Sequence, residues 1–287
     1  MNKWKIFSLL LVWLFSFGCE EIPPPIDNGD GALVLRDTNY VLPSLQEPAQ
    51  DKGILIEDLT GVRCPNCPDA AMRAKELKDN NPDRVVVVGL YTEQPNNLTF
   101  PHSGDDDLRT VQATNLYTNI YGSPPLPGGG VNRKIYSGQN QINQVHALWG
   151  SSVQNEKPLK TVVNLSVEVQ QKDDSTYVVQ SKFTFNEELN SQSFVSIMLL
   201  ENEIHASQST DTGDNHEYIH QHVLRTMYTP YNGSPLYDSP EKGRVIEKGW
   251  EFVIPKGIDL SKASIVVLVN RNDADNKEVL QCLEVKL

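Results

Sequence analysis

The chain has 287 residues and a formal charge of −12 at pH 7. An acidic surface repels phosphate groups, which argues against nucleic acid as a partner and against electrostatic adhesion to anionic lipid. The length suits two domains, each large enough to bury its own hydrophobic core.

The N-terminus, residues 1–18, has the pattern of a lipoprotein signal peptide. Two lysines precede an apolar stretch at residues 6–17, which is shorter than the roughly 20 residues that a membrane-spanning helix needs. Small residues then precede Cys19, so we expect cleavage before this cysteine and a lipid attached to it. Phe17 departs from the usual lipoprotein cleavage pattern, and ordinary signal cleavage is the alternative.

The next segment, residues 19–31, is acidic and rich in proline and glycine. It lacks the apolar side chains that a packed core requires. We therefore expect a tether that holds the folded part of the chain away from the membrane surface.

Residues 32–155 alternate the patterns of strands and helices. The apolar runs at 54–59 and 84–91 flank a helical segment at 69–78, which predicts a β-α-β unit with parallel strands. Further along, the sequence predicts a helix over 105–119, a strand over 131–136 and a second helix over 142–151. These elements indicate an α/β domain.

Residues 157–287 change to a period of two, and helical patterns disappear. Turns rich in aspartate, asparagine, serine and glycine separate the apolar runs. The predicted strands are 162–169, 177–185, 194–200, 219–227, 245–254, 265–269 and 279–285. This pattern indicates an antiparallel β-sandwich of the immunoglobulin-like or jelly-roll type.

Cys64 and Cys67 form a C-x-x-C pair between the first predicted β-α-β strand and the helix that follows it. An exported protein meets oxidising conditions, and no second C-x-x-C is present, so this pair is expected as a disulfide or a dithiol rather than as half of a zinc site. Cys282 lies alone in the last predicted strand. We expect a buried, inert thiol there, with an intermolecular disulfide as the alternative.

Two segments, residues 59–68 and 218–225, together with the lipoprotein start, resemble a known family. It is the group of Bacteroidota outer-membrane lipoproteins named for a twenty-eight-kilodalton member. The resemblance implies a thioredoxin-like domain followed by a C-terminal β domain. It also implies a role in adhesion or surface antigenicity more often than in catalysis.

The first domain also resembles thioredoxins more widely. Asp58 stands six residues before Cys64, where thioredoxins keep a buried acid that moves protons for the second thiol. Pro127 precedes a glycine run that is similar to the loop carrying the thioredoxin cis-proline. We therefore expect a cis bond between Leu126 and Pro127, with two earlier prolines in the same loop as rivals.

Disulfide exchange requires a thiolate, whereas an ordinary cysteine thiol has a pKa of about 8.5. A helix N-terminus lowers that pKa, and Arg63 next to the pair adds a positive charge, while Asp58 and Asp69 oppose ionisation. Pro68 has no N–H group, which predicts a helix that begins at Pro68 with Cys67 as its cap. A reactive pair and a purely structural disulfide both stay open as interpretations.

A cluster of three histidines, His216, His220 and His222, is a candidate metal site. On a single strand His220 and His222 point to the same face, and two imidazoles with a nearby carboxylate bind zinc or copper in many proteins. The alternative is a set of polar contacts at a strand edge or between the domains. The sequence carries no phosphate-binding glycine loop, nucleophile elbow or H-E-x-x-H helix, so no cofactor is expected.

Together these features predict a lipid-anchored lipoprotein of the outer membrane, on its periplasmic side or at the cell surface. The first hypothesis is thiol/disulfide exchange with an unidentified envelope or extracellular protein. In it Cys64 is the attacking thiolate and Cys67 the resolving thiol, with Asp58 as proton acceptor and Pro127 as the wall of the partner groove. The second hypothesis is a non-catalytic adhesion or binding lipoprotein in which Cys64 and Cys67 form a structural disulfide.

The lipid anchor gives a first testable prediction. Cys19→Ser removes the only thiol to which the lipid is attached in this interpretation, so the variant is expected in the soluble fraction while the native protein stays with the membranes. Fractionation of the producing cells measures this, with Cys282→Ala as the control that loses a cysteine and keeps the anchor. A Cys19→Ser variant that remains membrane-bound contradicts the prediction.

Overall fold

The computed structural model describes residues 32–45 and 47–287. The predicted signal peptide at 1–18, the lipidated Cys19 and the tether at 19–31 lie outside the described residues. Within the described ranges, no helix has the length and apolar content needed to cross a membrane.

The described part of the chain contains sixteen strands and four α-helices. In chain order these are β1 (Leu33–Val41), β2 (Ile54–Thr60), α1 (Cys67–Asp79), β3 (Val85–Tyr91), α2 (Asn96–Thr99), α3 (Val111–Asn119), β4 (Gly128–Val131), α4 (Trp149–Glu156), β5 (Val163–Gln171), β6 (Thr176–Phe185), β7 (Ser193–Glu201), β8 (Ile204–His205), β9 (Gln208–Thr210), β10 (Gly213–Asn215), β11 (Ile219–His220), β12 (Val223–Met227), β13 (Ser234–Tyr237), β14 (Arg244–Val253), β15 (Ala263–Arg271) and β16 (Val279–Lys286). The fold is mixed α/β and consists mostly of strands.

The larger sheet has the order β16-β15-β7-β12-β3-β2-β4, with β13 also paired to β7. β2 and β3 are parallel, as the β-α-β prediction requires, and β4 is antiparallel to β2. The sheet curls so that its two end strands, β16 and β4, come close together. The N–H of Val279 in β16 donates to the carbonyl of Asn132, just after β4, at 2.9 Å. The curled face encloses a core with Leu90 of β3, Leu224 of β12 and Leu200 of β7.

The smaller sheet has the order β1-β14-β6-β5. It packs face to face on β7, β15 and β16 through one buried cluster that includes Phe183 of β6, Trp250 of β14, Ile197 of β7 and Val267 of β15. Apolar side chains of the facing strands therefore fill the space between the two layers.

Strand pairing crosses the expected division between residues 32–155 and 157–287. β12 of the second segment pairs with β3 of the first within one sheet, and β1 of the first segment pairs with β14 of the second. The hydrophobic pattern of the sequence changes at residue 156, but the strands on either side of this position pair with each other within the same sheets. The two domain ranges stay a prediction about folding units.

Several predicted elements have different bounds in the structure. The helix predicted over 105–119 begins only at Val111, because the Thr110 side chain accepts the N–H of Ala113 and caps it there. The strand predicted over 131–136 is shorter and earlier, at β4. The strand predicted over 219–227 is interrupted at His222, whose φ of 56° is not an extended conformation.

A buried ion pair fastens β2 to the turn after β4. The guanidinium of Arg133 donates to both carboxylate oxygens of Glu57 at 2.7 and 2.8 Å, and the Tyr121 hydroxyl donates to the same carboxylate at 2.7 Å. Neither charged side chain is exposed. Gly129 permits this approach, since it has a φ of 143° and a Cβ there would lie 2.0 Å from the carbonyl oxygen of Glu57.

Arg133→Met is expected to lower the free energy of unfolding by about 3 to 5 kcal/mol, because it leaves the Glu57 carboxylate buried without its counter-charge. The double variant Glu57→Leu/Arg133→Met is expected to recover much of that loss, since no unpaired charge remains. Urea denaturation measures both. Arg36→Met, which removes an exposed pair with Glu247, is the control and should change little. Equal effects of the buried and the exposed change would contradict the prediction.

Candidate redox site

The C-x-x-C pair lies where β2 ends and α1 begins. The N–H of Cys64 donates to the carbonyl of Gly61 at 3.0 Å, and the N–H of Cys67 donates to the carbonyl of Cys64 at 3.1 Å. The helix begins at Cys67, one residue earlier than predicted, and its N-cap is Asn66. Pro68 lies in the first turn of the helix. An N–H group at this position has no acceptor within the helix, so the absence of one in proline costs no hydrogen bond.

The structure joins Cys64 and Cys67 in a disulfide. The two residues are only 2% and 1% exposed. An attacking thiolate needs access to a sulfur atom, and both cysteines are buried by their neighbours in the described residues. The neighbouring segments determine the access.

One neighbour is the short helical turn after β3, formed by α2 and the two residues that follow it. The N–H of Arg63 donates to the carbonyl of Leu98 at 2.9 Å, and its side chain donates to the carbonyls of Phe100 and Pro101 at 2.7 and 2.9 Å. The predicted cation beside the pair is therefore held by backbone oxygens of this turn. Gly61 is required here, because a Cβ would lie 2.4 Å from the Leu98 carbonyl oxygen.

The other neighbour is the β9–β10 hairpin, which comes from the second half of the chain. The N–H of Ser209 donates to the carbonyl of Val62 at 2.8 Å. The side-chain amide of Gln208 donates to the carbonyls of Cys64 and Gly61 at 3.1 and 3.3 Å. Sequence reasoning missed both residues, since a short polar strand has no apolar periodicity that would place it.

Asp58 is buried in β2, with 3% of the residue exposed. Its Oδ1 atom has no hydrogen-bond partner among the described residues, and burial raises the pKa of Asp58 to about 8. The carboxyl therefore holds its proton at neutral pH. It borders a cavity of about 220 Å³ that Ala71 and Ala74 of α1 also line, together with Tyr91 and Tyr218.

Pro127 directly precedes β4, and the Leu126–Pro127 bond is cis. The register pairs Leu59 with Gly128, so Pro127 lies beside the end of β2 that leads into the C-x-x-C loop. The Gln94–Pro95 bond is also cis, which the sequence did not indicate. The catalytic roles assigned to Asp58 and Pro127 stay predictions.

The structure does not bring the three histidines together. His216 contacts the Ser207 hydroxyl at 3.0 Å, whereas His220 contacts the Tyr91 hydroxyl through Nδ1 at 2.7 Å and the Ala206 carbonyl through Nε2 at 3.2 Å. His222 lies beyond the end of β11, where its left-handed backbone ends the strand alternation on which the metal hypothesis depended. No metal-ligating group of three such side chains occurs in the described ranges.

Burial keeps His220 neutral and lowers its pKa to about 4. A carbonyl oxygen only accepts, so Nε2 carries the proton and donates to Ala206, and Nδ1 accepts from Tyr91. His220 thus joins the segment before β12 to the end of β3. For His220 the structure shows polar contacts of the kind that were the alternative to a metal site.

Cys282 is buried, as expected, and burial raises the pKa of its thiol to about 12. A thiol of that pKa is almost entirely protonated at neutral pH and reacts poorly. Another cavity, of about 690 Å³, lies beside it and is also lined by His222, Lys78 and Glu284.

The family model described as outer membrane protein Omp28 matches residues 114–287. The chain belongs to the Omp28 family. The matched range begins after the C-x-x-C pair and contains the β9–β10 hairpin. No curated protein matches the chain.

Two solved structures are similar to parts of this Omp28-family chain. HBP35 of Porphyromonas gingivalis is similar over 84% of this chain and 77% of its own, with a TM-score of 0.63 and 15% identity. At that identity the likeness shows a shared fold alone. A domain of the outer membrane lipoprotein Omp28 from Porphyromonas gingivalis aligns with 44% of this chain and 88% of its own, at 19% identity and a TM-score of 0.31.

The raised pKa of Asp58 predicts a pH-dependent stability. The Asp58 carboxyl ionises near its ordinary pKa of 3.8 in the unfolded chain and near 8 in the folded one. Below pH 4 both states are protonated, so the free energy of unfolding is unaffected there and falls as pH rises from about 4 to 8. Relative to Asp58→Asn, the native protein should lose up to about 1.4 kcal/mol per pH unit across that window.

Urea denaturation of the two oxidised proteins from pH 4 to pH 9 measures this difference. Both proteins share every other titrating group, including His220, so those contributions cancel. Parallel stability curves would show that Asp58 ionises normally in the folded protein.

Proposed function

We propose that this Omp28-family protein exchanges disulfides with protein partners through Cys64 and Cys67. The observation that supports the proposal is the Asp58 carboxyl, buried without a hydrogen-bond partner at Oδ1 on the strand that leads into the pair. Burying such a group costs free energy, and strongly perturbed acids are concentrated at functional sites.

The pKa of Asp58 suits the proposed step. Proton transfer is most effective when donor and acceptor have similar pKa values, and about 8 is close to the ordinary value of about 8.5 for a thiol. Asp58 is then able to give a proton to a departing Cys67 thiolate and to take it back when the disulfide forms again. No further cofactor is needed for this exchange.

The exchange balances with a dithiol partner. A partner thiolate attacks Sγ of Cys64, the Cys64–Cys67 bond breaks, and Cys67 leaves as a thiolate that takes the proton of Asp58. The partner's second thiolate then attacks its own sulfur in the mixed disulfide and releases the Cys64 thiolate. The partner is oxidised by two electrons and the C-x-x-C pair is reduced; the reverse sequence reduces a partner disulfide. Pro127 forms the wall of the partner groove.

The proposal includes the position of the protein in the cell. Membership of an outer membrane protein family supports an outer-membrane location, and the signal pattern supports an anchor through lipid on Cys19. The partner is an unidentified envelope or extracellular protein, and the anchored domain faces the periplasm or the cell surface. For the fold, a thioredoxin-like unit joined to a sandwich of immunoglobulin-like or jelly-roll type stays the finer prediction.

A second candidate function is a non-catalytic adhesion or binding lipoprotein with a structural disulfide. Two observations favour it. Both cysteines are buried, and the edge strand β1 leaves Leu33, Leu35 and Val41 about half exposed. An exposed apolar edge strand is a template for pairing with another chain.

The two functions predict different results for Cys67→Ser. If the pair exchanges, this variant accumulates mixed disulfides through Cys64 when it is produced in the envelope, because the resolving thiol is absent. Cys64→Ser is the matched control and should capture far less. Non-reducing electrophoresis with mass spectrometry of the trapped species measures the difference.

The redox potential of the native pair is the second measurement. Exchange predicts a value above about −300 mV, whereas structural disulfides in exported proteins usually lie below it. Capture of no partner by Cys67→Ser, together with a lower potential, would overturn the exchange proposal in favour of the binding protein.

A further inference from the structure

We infer that the β9–β10 hairpin, residues 208–215, is an internal cover that occupies the partner-binding face of the Cys64–Cys67 disulfide and has to be displaced before exchange. The inference rests on the proposed function and deepens it, since it states how the same site is regulated. It explains why the two cysteines of the proposed exchange site are only 2% and 1% exposed.

The cover binds the C-x-x-C loop through main-chain oxygens. Three acceptors, the carbonyls of Gly61, Val62 and Cys64, are all bonded by donors from Gln208 and Ser209. The bond from the Ser209 N–H to the Val62 carbonyl joins main chain to main chain, as do the bonds that an extended peptide makes at a protein edge. The hairpin thus takes a place that suits a partner's own extended segment.

The hold of the cover on the loop is mostly polar. Within the cover, Gln208 is buried, with 2% of the residue exposed, and Ser209 and Thr210 are half-buried. Residues 211–217 are exposed throughout. Because little apolar surface is buried, the free energy of local opening is expected to be much smaller than that of global unfolding.

The base of the cover is held more firmly. β8 pairs with β11, and His220 of β11 is 1% exposed and bonded to both Tyr91 and Ala206. A displaced hairpin therefore stays attached beside the site. It is able to close again once a partner leaves.

Opening frees acceptors that a partner is able to use. Backbone N–H groups or an amide side chain of an extended partner segment would replace those of Gln208 and Ser209. The cover therefore selects for partners that present a thiol or disulfide within an extended segment. It slows exchange with thiols that offer no such donors.

The test is the rate of reduction of the disulfide in the mature chain by dithiothreitol. Gln208→Ala removes the amide donor, and Ser209→Pro removes the N–H that bonds Val62. Ser209→Pro is expected to be reduced about five- to tenfold faster, which is the factor for one hydrogen bond of ordinary strength, and Gln208→Ala, which removes two bonds, at least as much faster. Unchanged rates in both variants would overturn the inference.

Two controls separate the cover from other effects. Gln180→Ala changes an exposed glutamine on β6 and should leave the rate unchanged. Val179→Ala weakens the core between the sheets, so a rate increase in it equal to that of Gln208→Ala would attribute the effect to general loss of stability and overturn the cover.

The outcome is independent of the test of exchange itself. Faster reduction of Gln208→Ala, with no partner trapped by Cys67→Ser, would support the cover and reject the proposed function. Trapped partners with unchanged reduction rates would do the opposite.

Discussion

The hydrogen bond between the N–H of Gly89 and the carbonyl of His222, at 2.7 Å, is the junction on which the architecture depends. It brings β12 alongside β3 in parallel and so continues the β2-α1-β3 unit into the strands of the C-terminal half. Leu90, Leu224 and Leu200 then share one core across the junction. The chain behaves as one curled sheet with a second sheet packed on part of it.

The same junction determines what lies over the disulfide. β7 ends at Glu201 and β12 begins at Val223, so the chain between them leaves the sheet and returns beside β3. This segment contacts Gly61 and Cys64, and the Tyr91–His220 hydrogen bond attaches its last residues to the end of β3. The bonds from Gln208 and Ser209 to the C-x-x-C loop are therefore a consequence of how the two halves are joined rather than a local property of the loop.

The fold could be predicted from the sequence where local pattern decides the structure. The apolar runs around residues 54–59 and 84–91 placed β2 and β3, and the proline before three glycines located the cis bond at Pro127. The contacts of Gln208 could not be predicted, because they join polar groups about 144 residues apart that carry no periodicity. His222 was equally hidden, since a non-glycine residue gives no signal of a positive φ.

Two properties of the site argue in opposite directions, and their combination is informative. The closed surface over Cys64 and Cys67 suits a structural disulfide, which takes up no proton and needs no acid. Asp58 reduces stability at neutral pH because burial opposes its ionisation, and a neutral residue of similar shape would avoid that cost. A disulfide that only stabilised the turn gives no reason to keep such a group. In the proposed function, a site that is closed at rest and opens for exchange would account for both the acid and the cover, because a proton of Asp58 is then of use whenever the Cys64–Cys67 bond breaks.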